Sequence, residues 1–323
     1  MNSDFAPFID PLDQSSLNYE KHLLVSSSNR SFPVINGIPR FVPERNYASS
    51  FGAQWNRFPK TQLDSYSGIS LSRDRLSRCM RGHLSSLDGK LVLEAGSGAG
   101  RFSEILLSHG AHLHSFDYSS AVEANASNNK RFSNFWLAQA DIRNMPFQHG
   151  VYDYVVCLGV VQHTPNPEES LKHLWDMVKP GGILIFDHYK WSLKWMAPPP
   201  IRDCISLYRR LILALPLHLR FPIIRRITDF WFPLHWRFKD VPLMQKALRR
   251  VSPVIFHYPE IELRSQRDHY YWSLLDTHDS CTDHYKHLRS SSSLRKTVEM
   301  LGAVDIEISE GGNGVEVFCR KRL

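Results

Sequence analysis

Three glycines at alternate positions, Gly96, Gly98 and Gly100, follow the apolar run LVLEA at 91–95 and precede RFSEILLS. A strand passing into a helix through such residues lets the backbone approach a ligand closely and aims helix N-terminal N–H groups at it. Glu94 stands two positions before the first glycine, and Ser97 lies inside the turn. A carboxylate so placed would repel a pyrophosphate and favour a ligand bearing positive charge. Asp117-Tyr118 end the next apolar run, Asp141-Ile142 follow the third, and Leu158 closes the fourth. Carboxylates at successive strand ends can accept hydroxyl and amino groups of one ligand, with the apolar side chains covering its flat parts. Two further places carry groups that exchange protons near neutral pH. One is His163, just past the fourth run; the other is LLDTHDSCTDHY at 274–285, which gathers Asp276, His278, Asp279, Asp283 and His284. The second is expected as a loop over the open side of the site, with Asp276 and His278 as acid–base candidates. Its alternatives are a divalent metal site, or a helix start capped by Asp279 or Thr282; no resident metal is expected.

The elements that would hold these groups follow from the periodicity. From residue 90, β-type runs (91–95, 111–117, 135–141, 152–159, 182–189) alternate with helical stretches, which implies a parallel sheet with helices on both faces. A helix near 288–301 and strands at 303–309 and 315–321, joined by Gly311-Gly312-Asn313-Gly314, end the chain as a hairpin. Upstream, 50–88 has helical spacing in Leu71, Leu76, Met80, Leu84 and Leu87, and FPVINGIPRFVP at 32–43 reads as strand, Asn36-Gly37 turn, strand. The fold class is α/β, doubly wound, in three parts: an N-terminal extension (1–49), a core (50–189 and 285–323), and an insertion (190–284).

The insertion differs in composition from the rest. Residues 190–272 hold 15 Lys and Arg against 6 Asp and Glu, and five of the chain's eight tryptophans (Trp191, Trp195, Trp231, Trp236, Trp272). IRDCISLYRRLILALP (201–216) and FPIIRRITDFWFPLHWRF (221–238) suit a helical lid packed on the core. They equally suit a basic amphipathic surface for anionic lipid or an anionic acceptor. Nucleic acid is not expected, because no RNA-binding motif accompanies the charge. The whole chain, 323 residues with 42% hydrophobic and 22% charged, is neither low-complexity nor collagen-like. Its five scattered cysteines form no CxxC pair, and MNSDFAPFIDPLD lacks a basic flank and apolar core. A cytoplasmic protein is expected, in peripheral contact with membrane if the basic surface serves lipid.

The motifs together resemble the class I S-adenosylmethionine-dependent methyltransferases over about 50–189 and 285–321. VLEAGSGAG is similar to that family's glycine motif, ADIRNMPF (140–147) to its adenine motif, YDYVVCLGVVQHTPNP (152–167) to its fourth-strand motif and VKPGGILIF (178–186) to its turn into strand five. The resemblance implies a Rossmann-like seven-stranded sheet with the last strand antiparallel. It also implies S-adenosylmethionine as cofactor, held by Glu94, Gly96, Ser97, Gly98, Asp117, Tyr118, Asp141, Ile142 and Leu158. The acceptor is then a small or lipid-linked molecule. In ubiquinone- and menaquinone-type methyltransferases a similar HHTPDP stretch lines the active site; here Gln162 replaces its first histidine. SFGAQWNRF (50–58) resembles the N-terminal cap of related enzymes, with Gln54 or Trp55 toward cofactor. FPVINGIPRFVP resembles the last hairpin of small zinc-ribbon domains, and since the first cysteine is Cys79, it would be a metal-free remnant. Two other functions stay open at this level: an NAD(P)-dependent oxidoreductase, disfavoured by G-x-G-x-G and Glu94, and a non-catalytic cofactor-binding or membrane-surface adaptor.

Overall fold

A computed structural model describes residues 7–43, 46–193 and 204–323. Trp195 and the first residues of the 201–216 run lie outside the described residues. Strands β1 (Leu17–Glu20), β2 (Leu23–Ser26), β3 (Ser31–Ile35) and β4 (Ile38–Pro39) form a sequentially ordered antiparallel sheet. The β3–β4 turn is Asn36-Gly37, both at positive φ (55° and 79°), which matches the right-handed twist of a two-residue hairpin. This small sheet is tied to the rest of the molecule. Phe41 N–H donates to the Gln139 carbonyl (2.8 Å), Arg40 pairs with Glu123, and the Phe8 and Phe147 rings lie 5.4 Å apart.

The helical stretch predicted at 50–88 is three helices, α1 (Ser49–Arg57), α2 (Asp64–Ser67) and α3 (Leu71–Cys79), then a 3-10 turn at His83–Ser86. Gly68, left-handed at φ 78°, stops α2. Leu76, Met80, Leu84 and Leu87 are buried as their spacing implied, whereas Leu71 is 38% exposed.

The alternating core follows: β5 (Leu91–Ala95), α4 (Arg101–Ser108), β6 (His112–Asp117), α5 (Val122–Asn129), β7 (Phe135–Gln139), β8 (Tyr152–Cys157), α6 (Pro167–Met177) and β9 (Val178–His188). Helices α7 (Ile205–Leu213), α8 (Leu217–Arg237), α9 (Pro242–Val251) and α10 (Gln266–Thr282) make up the insertion. The chain then returns through α11 (Ser291–Met300), β10 (Ala303–Gly311) and β11 (Gly314–Lys321). The order is β10-β11-β9-β8-β5-β6-β7, with β5–β9 parallel and β11 antiparallel to both neighbours, as the sequence implied. Because β5 pairs with β6 on one side and β8 on the other, the strand order reverses there and opens a crevice at its carboxyl end. The glycine turn sits in that crevice.

One expectation is corrected. Residues 274–282 are not a loop but the second half of α10, whose N-cap is Ser265, accepting from the Asp268 N–H. Leu274, Leu275 and Cys281 pack with Ile212 and Ile224 of the insertion and with Phe58, and that apolar face carries the helix to Thr282. Asp279 and Thr282 therefore occupy its last turns rather than a cap, and His284 beyond them is exposed.

Leu93, fully buried in β5, packs in the core on one face of the sheet. Leu93→Ala should cost about 2–5 kcal/mol in denaturant unfolding; a loss below about 1 kcal/mol would show that the core can collapse around the gap.

Candidate functional site

A cavity of about 850 Å³ lies over the carboxyl ends of β5, β6 and β8. Its floor includes Gly96, Ser97, Gly98, Asp117, Tyr118 and Leu158. The glycines are required sterically. At Gly96 (φ 76°) a Cβ would fall 2.3 Å from Val160 Cγ2, and at Gly98 (φ 54°) 3.1 Å from the Trp55 indole nitrogen. Asp117 fastens the turn, since Oδ2 accepts from the Gly98 N–H (2.8 Å) and Oδ1 from Ser119 N–H (2.8 Å) and Oγ (2.6 Å). Burial raises its pKa against these bonds. A carboxylate has about four acceptor positions, so Oδ2 keeps one for a ligand hydroxyl. Ser97 Oγ accepts from Asn125 Nδ2 (2.9 Å), which holds the turn from α5.

The remaining predicted ligand residues are placed differently. Glu94 does not line the cavity; it is buried under the turn, where Oε2 accepts from Ser103 (2.5 Å) and Ser115 (3.1 Å) and Oε1 has no partner. Burial pushes its pKa up to about 7. Asp141 is clasped by Arg143 through Nε (3.1 Å) and Nη2 (2.7 Å), and Ile142 belongs to the core; neither lines the cavity. The aromatic wall on that side is Tyr47 and Tyr118, with ring centroids 4.8 Å apart. Gln54 and Trp55 of α1 both reach the cavity.

The acid–base candidates divide in the same way. His163 lines the cavity, with Nδ1 donating to the Tyr285 carbonyl (3.0 Å), and burial lowers its pKa. Asp283 is 3.8 Å from it but is bound to Arg209 and Lys286. His278 does not line the cavity; its ring lies against Phe221 and bonds Gln54 Oε1 (2.5 Å), and burial lowers its pKa to about 4. Asp276 does line the cavity, as does Asp279 one turn on, whose pKa burial and the neighbouring Asp283 and Asp276 push up to about 7. Among the described residues no cluster of three or more His, Cys, Asp or Glu is arranged to hold a metal ion.

Sequence reasoning missed several polar groups in the same cavity, among them His257, Gln62, Arg75 and Arg101. Arg101 alone had a local signal, as the first helical residue after the glycines. Arg75 pairs with Asp187, whose Oδ1 accepts from the Gly159 N–H (2.6 Å), so β9 orders the end of β8.

A glycine turn at the switch point of a parallel sheet, with a carboxylate closing the next strand and an antiparallel last strand, defines a class I methyltransferase fold. Residues 93–186 match the family model described as "Methyltransferase domain". The chain is similar to the ubiquinone biosynthesis O-methyltransferase of Coxiella burnetii, 32% identical over 111 residues, covering 34% of this chain and 47% of that protein. The enzyme of that name from Pseudomonas putida is 35% identical over 107 residues, covering 31% and 45%. This chain thus spans a little under half of the curated relatives it matches. Among solved structures it is similar to an S-adenosyl-L-methionine-dependent methyltransferase of Methanococcus maripaludis, at 14% identity and TM-score 0.46, covering 87% of this chain and 97% of that one. Residues 93–186, which run from within β5 into β9, are thus a methyltransferase domain by sequence match.

The buried Glu94 carboxyl generates a pH dependence. The unfolded chain releases its proton near 4.5 and the folded protein near 7. Between those values the folded state holds more protons, so Glu94 contributes a loss of stability as pH rises. Glu94→Gln should therefore gain on the wild type in denaturant stability from about pH 4.5 to 7; a difference that stays flat would mean that the folded carboxyl is already ionised.

Proposed function

We propose that this chain transfers the methyl group of S-adenosylmethionine to a small-molecule acceptor, free or lipid-linked, held in the cavity beneath the insertion. One observation carries the reading: a single cavity joins the glycine turn and Asp117 to a facing wall of ionisable side chains from the insertion. The residues fit the cofactor. The glycine-rich turn accepts close backbone contact, Asp117 keeps an acceptor position for a ribose hydroxyl, and the buried Glu94 beneath the turn favours positive charge above it. Gly96, Ser97, Gly98, Tyr118 and Leu158 complete this wall, and flat contacts fall to Tyr118 and Tyr47 rather than to Ile142. Asp141, through Arg143, keeps a supporting place at the same end. When bound, the cofactor supplies a methyl group activated by a sulfonium.

The protein's own task is to hold the acceptor in line and exclude water, and positioning of that kind can supply about 7–11 kcal/mol of a barrier in favourable cases. Ile255 and Ile261, between α9 and α10, and Trp272 and Leu275 of α10 close the cavity on the insertion side. That the curated relatives are O-methyltransferases supports an oxygen acceptor.

A second observation supports a membrane-surface setting. Of 19 large apolar side chains exposed among the described residues, nine fall in 204–251. That stretch carries ten Lys and Arg against two Asp and Glu. On α7, Leu207, Arg210, Leu211 and Ala214 are exposed at i, i+3, i+4 and i+7, one helical face, and Leu217 and Leu219 continue it beyond Pro216. Apolar side chains among cations suit the surface of an anionic bilayer. No helix among the described residues is long and apolar enough to cross a membrane.

Calorimetry with S-adenosylhomocysteine should give micromolar binding, with none for NADPH. Asp117→Ala should weaken it by roughly 1–3 kcal/mol, the worth of a charge-assisted hydrogen bond. Nicotinamide binding alone would replace the methyltransferase reading with an oxidoreductase. In a second experiment, the protein should sediment with phosphatidylglycerol vesicles but not phosphatidylcholine vesicles, and Leu207→Glu/Leu211→Glu should release it; equal partition among all samples would remove the membrane setting.

A further inference from the structure

His257 and Asp276 form a hydrogen-bonded pair in the cavity wall, with Nε2 and Oδ2 2.6 Å apart. The pair ends a relay that begins at the glycine turn. Arg101, the first residue of α4, donates to Gln62 Oε1 (2.5 Å), and Gln62 Nε2 donates to Asp276 Oδ1 (3.0 Å). All four residues line the cavity. Both oxygens of Asp276 are thereby engaged, which fixes the carboxylate against the imidazole. The segment bearing His257 is fixed as well. Ile255 N–H donates to Thr277 Oγ1 of α10 (3.0 Å), Val254 and Phe256 are buried, and Ile255 and His257 turn to the cavity.

This arrangement sets the tautomer. With Nε2–H donating to the carboxylate, Nδ1 carries the free lone pair, and among the described residues Nδ1 makes no hydrogen bond. Burial would lower the pKa of His257, but the hydrogen bond and charge of Asp276 outweigh it, so the ring is held above its ordinary value. The other charges near it are Glu260 in its own segment, Arg249 of α9, and His269 on α10. His163 lacks such a partner, because Asp283 is committed to Arg209 and Lys286. His278 does not line the cavity.

Resting on the methyl-transfer reading, we propose that His257 is the general base that deprotonates a hydroxyl acceptor, with Asp276 as its positioning residue. The O–H bond breaks and its proton passes to Nδ1. The oxygen's electron pair forms the new bond to the methyl carbon, and the pair of the breaking carbon–sulfur bond stays on sulfur. The imidazolium so formed is stabilised by Asp276, and the sulfonium charge is lost as it appears. A neutral amine is nucleophilic enough before it loses a proton and would not need such a dyad.

The test uses 4-nitrocatechol, a phenol whose colour reports ionisation, added to the full chain saturated with S-adenosylhomocysteine, about one pH unit below the phenol's free pKa. The wild type should bind it as the yellow phenolate. His257→Ala should bind it as the colourless phenol, and Asp276→Asn should shift the half-ionisation point upward in pH. S-adenosylhomocysteine affinity measured alongside should stay within about threefold in both variants. Phenolate formation that persists in His257→Ala, or binding of the neutral phenol or none by the wild type, would overturn the assignment. Failure of the wild type to bind S-adenosylhomocysteine would instead sink the methyl-transfer reading on which it rests. Turnover of the same phenol with S-adenosylmethionine, where seen, should fall about 100-fold or more in His257→Ala, chiefly in kcat.

Discussion

The bond from the Gly98 N–H to Asp117 holds the turn after β5 to the end of β6, and most of the site is referred to it. It forms only because the turn takes positive φ at Gly96, Gly98 and Gly100, where a side chain would be strained and, at Gly96, would run into Val160. Val160 follows β8, so one steric constraint sets three strand ends against each other. The strand order reverses at β5 for the same topological reason, and the crevice, the glycines and the acid coincide.

Buried carboxylates hold the opposite rim. Asp187 and Glu316 are fully buried on β9 and β11 and are met by Arg75 and Arg78, successive turns of α3. Removing either arginine would leave a buried charge unpaired, which is far costlier than never burying the pair. The helix therefore cannot drift from the sheet without exposing these anions to an apolar interior. Its outer side, with Leu71 and Asp74, forms part of the cavity rim. The stability of α3 and the shape of the site are thus linked through two ion pairs.

The insertion contributes the groups of greatest chemical interest while packing mainly on itself and on α1. Phe58, Ile212, Ile224, Leu274 and Leu275 form a small core of their own, distinct from those flanking the sheet. An insertion with its own core can keep its side chains in fixed geometry and still join the rest of the molecule through polar contacts such as Gln62 to Asp276. Its outer face is basic and partly apolar, and its inner face carries the dyad.

The sequence determined the alternation of strands and helices, the closing hairpin and the glycine turn, each encoded locally by apolar period, by glycine and by residues adjacent to strand ends. The seven-stranded sheet with its reversed last strand was implied by the family resemblance. That Asp117 and Ser97 line the crevice was legible because the strand ends open onto it by topology. The helix through Asp276 was misread as a loop, since clustered Asp, His, Ser and Thr in 274–285 mimic a cap, whereas burial of Leu274, Leu275 and Cys281 against other helices carries the helix to Thr282. Only the tertiary structure decided that Asp276 meets Gln62, 214 residues away, and His257, and that His278 packs outside the cavity lining. Pairings of that kind depend on how separate helices dock, and docking is fixed by packing across the whole molecule rather than by any pattern along the chain.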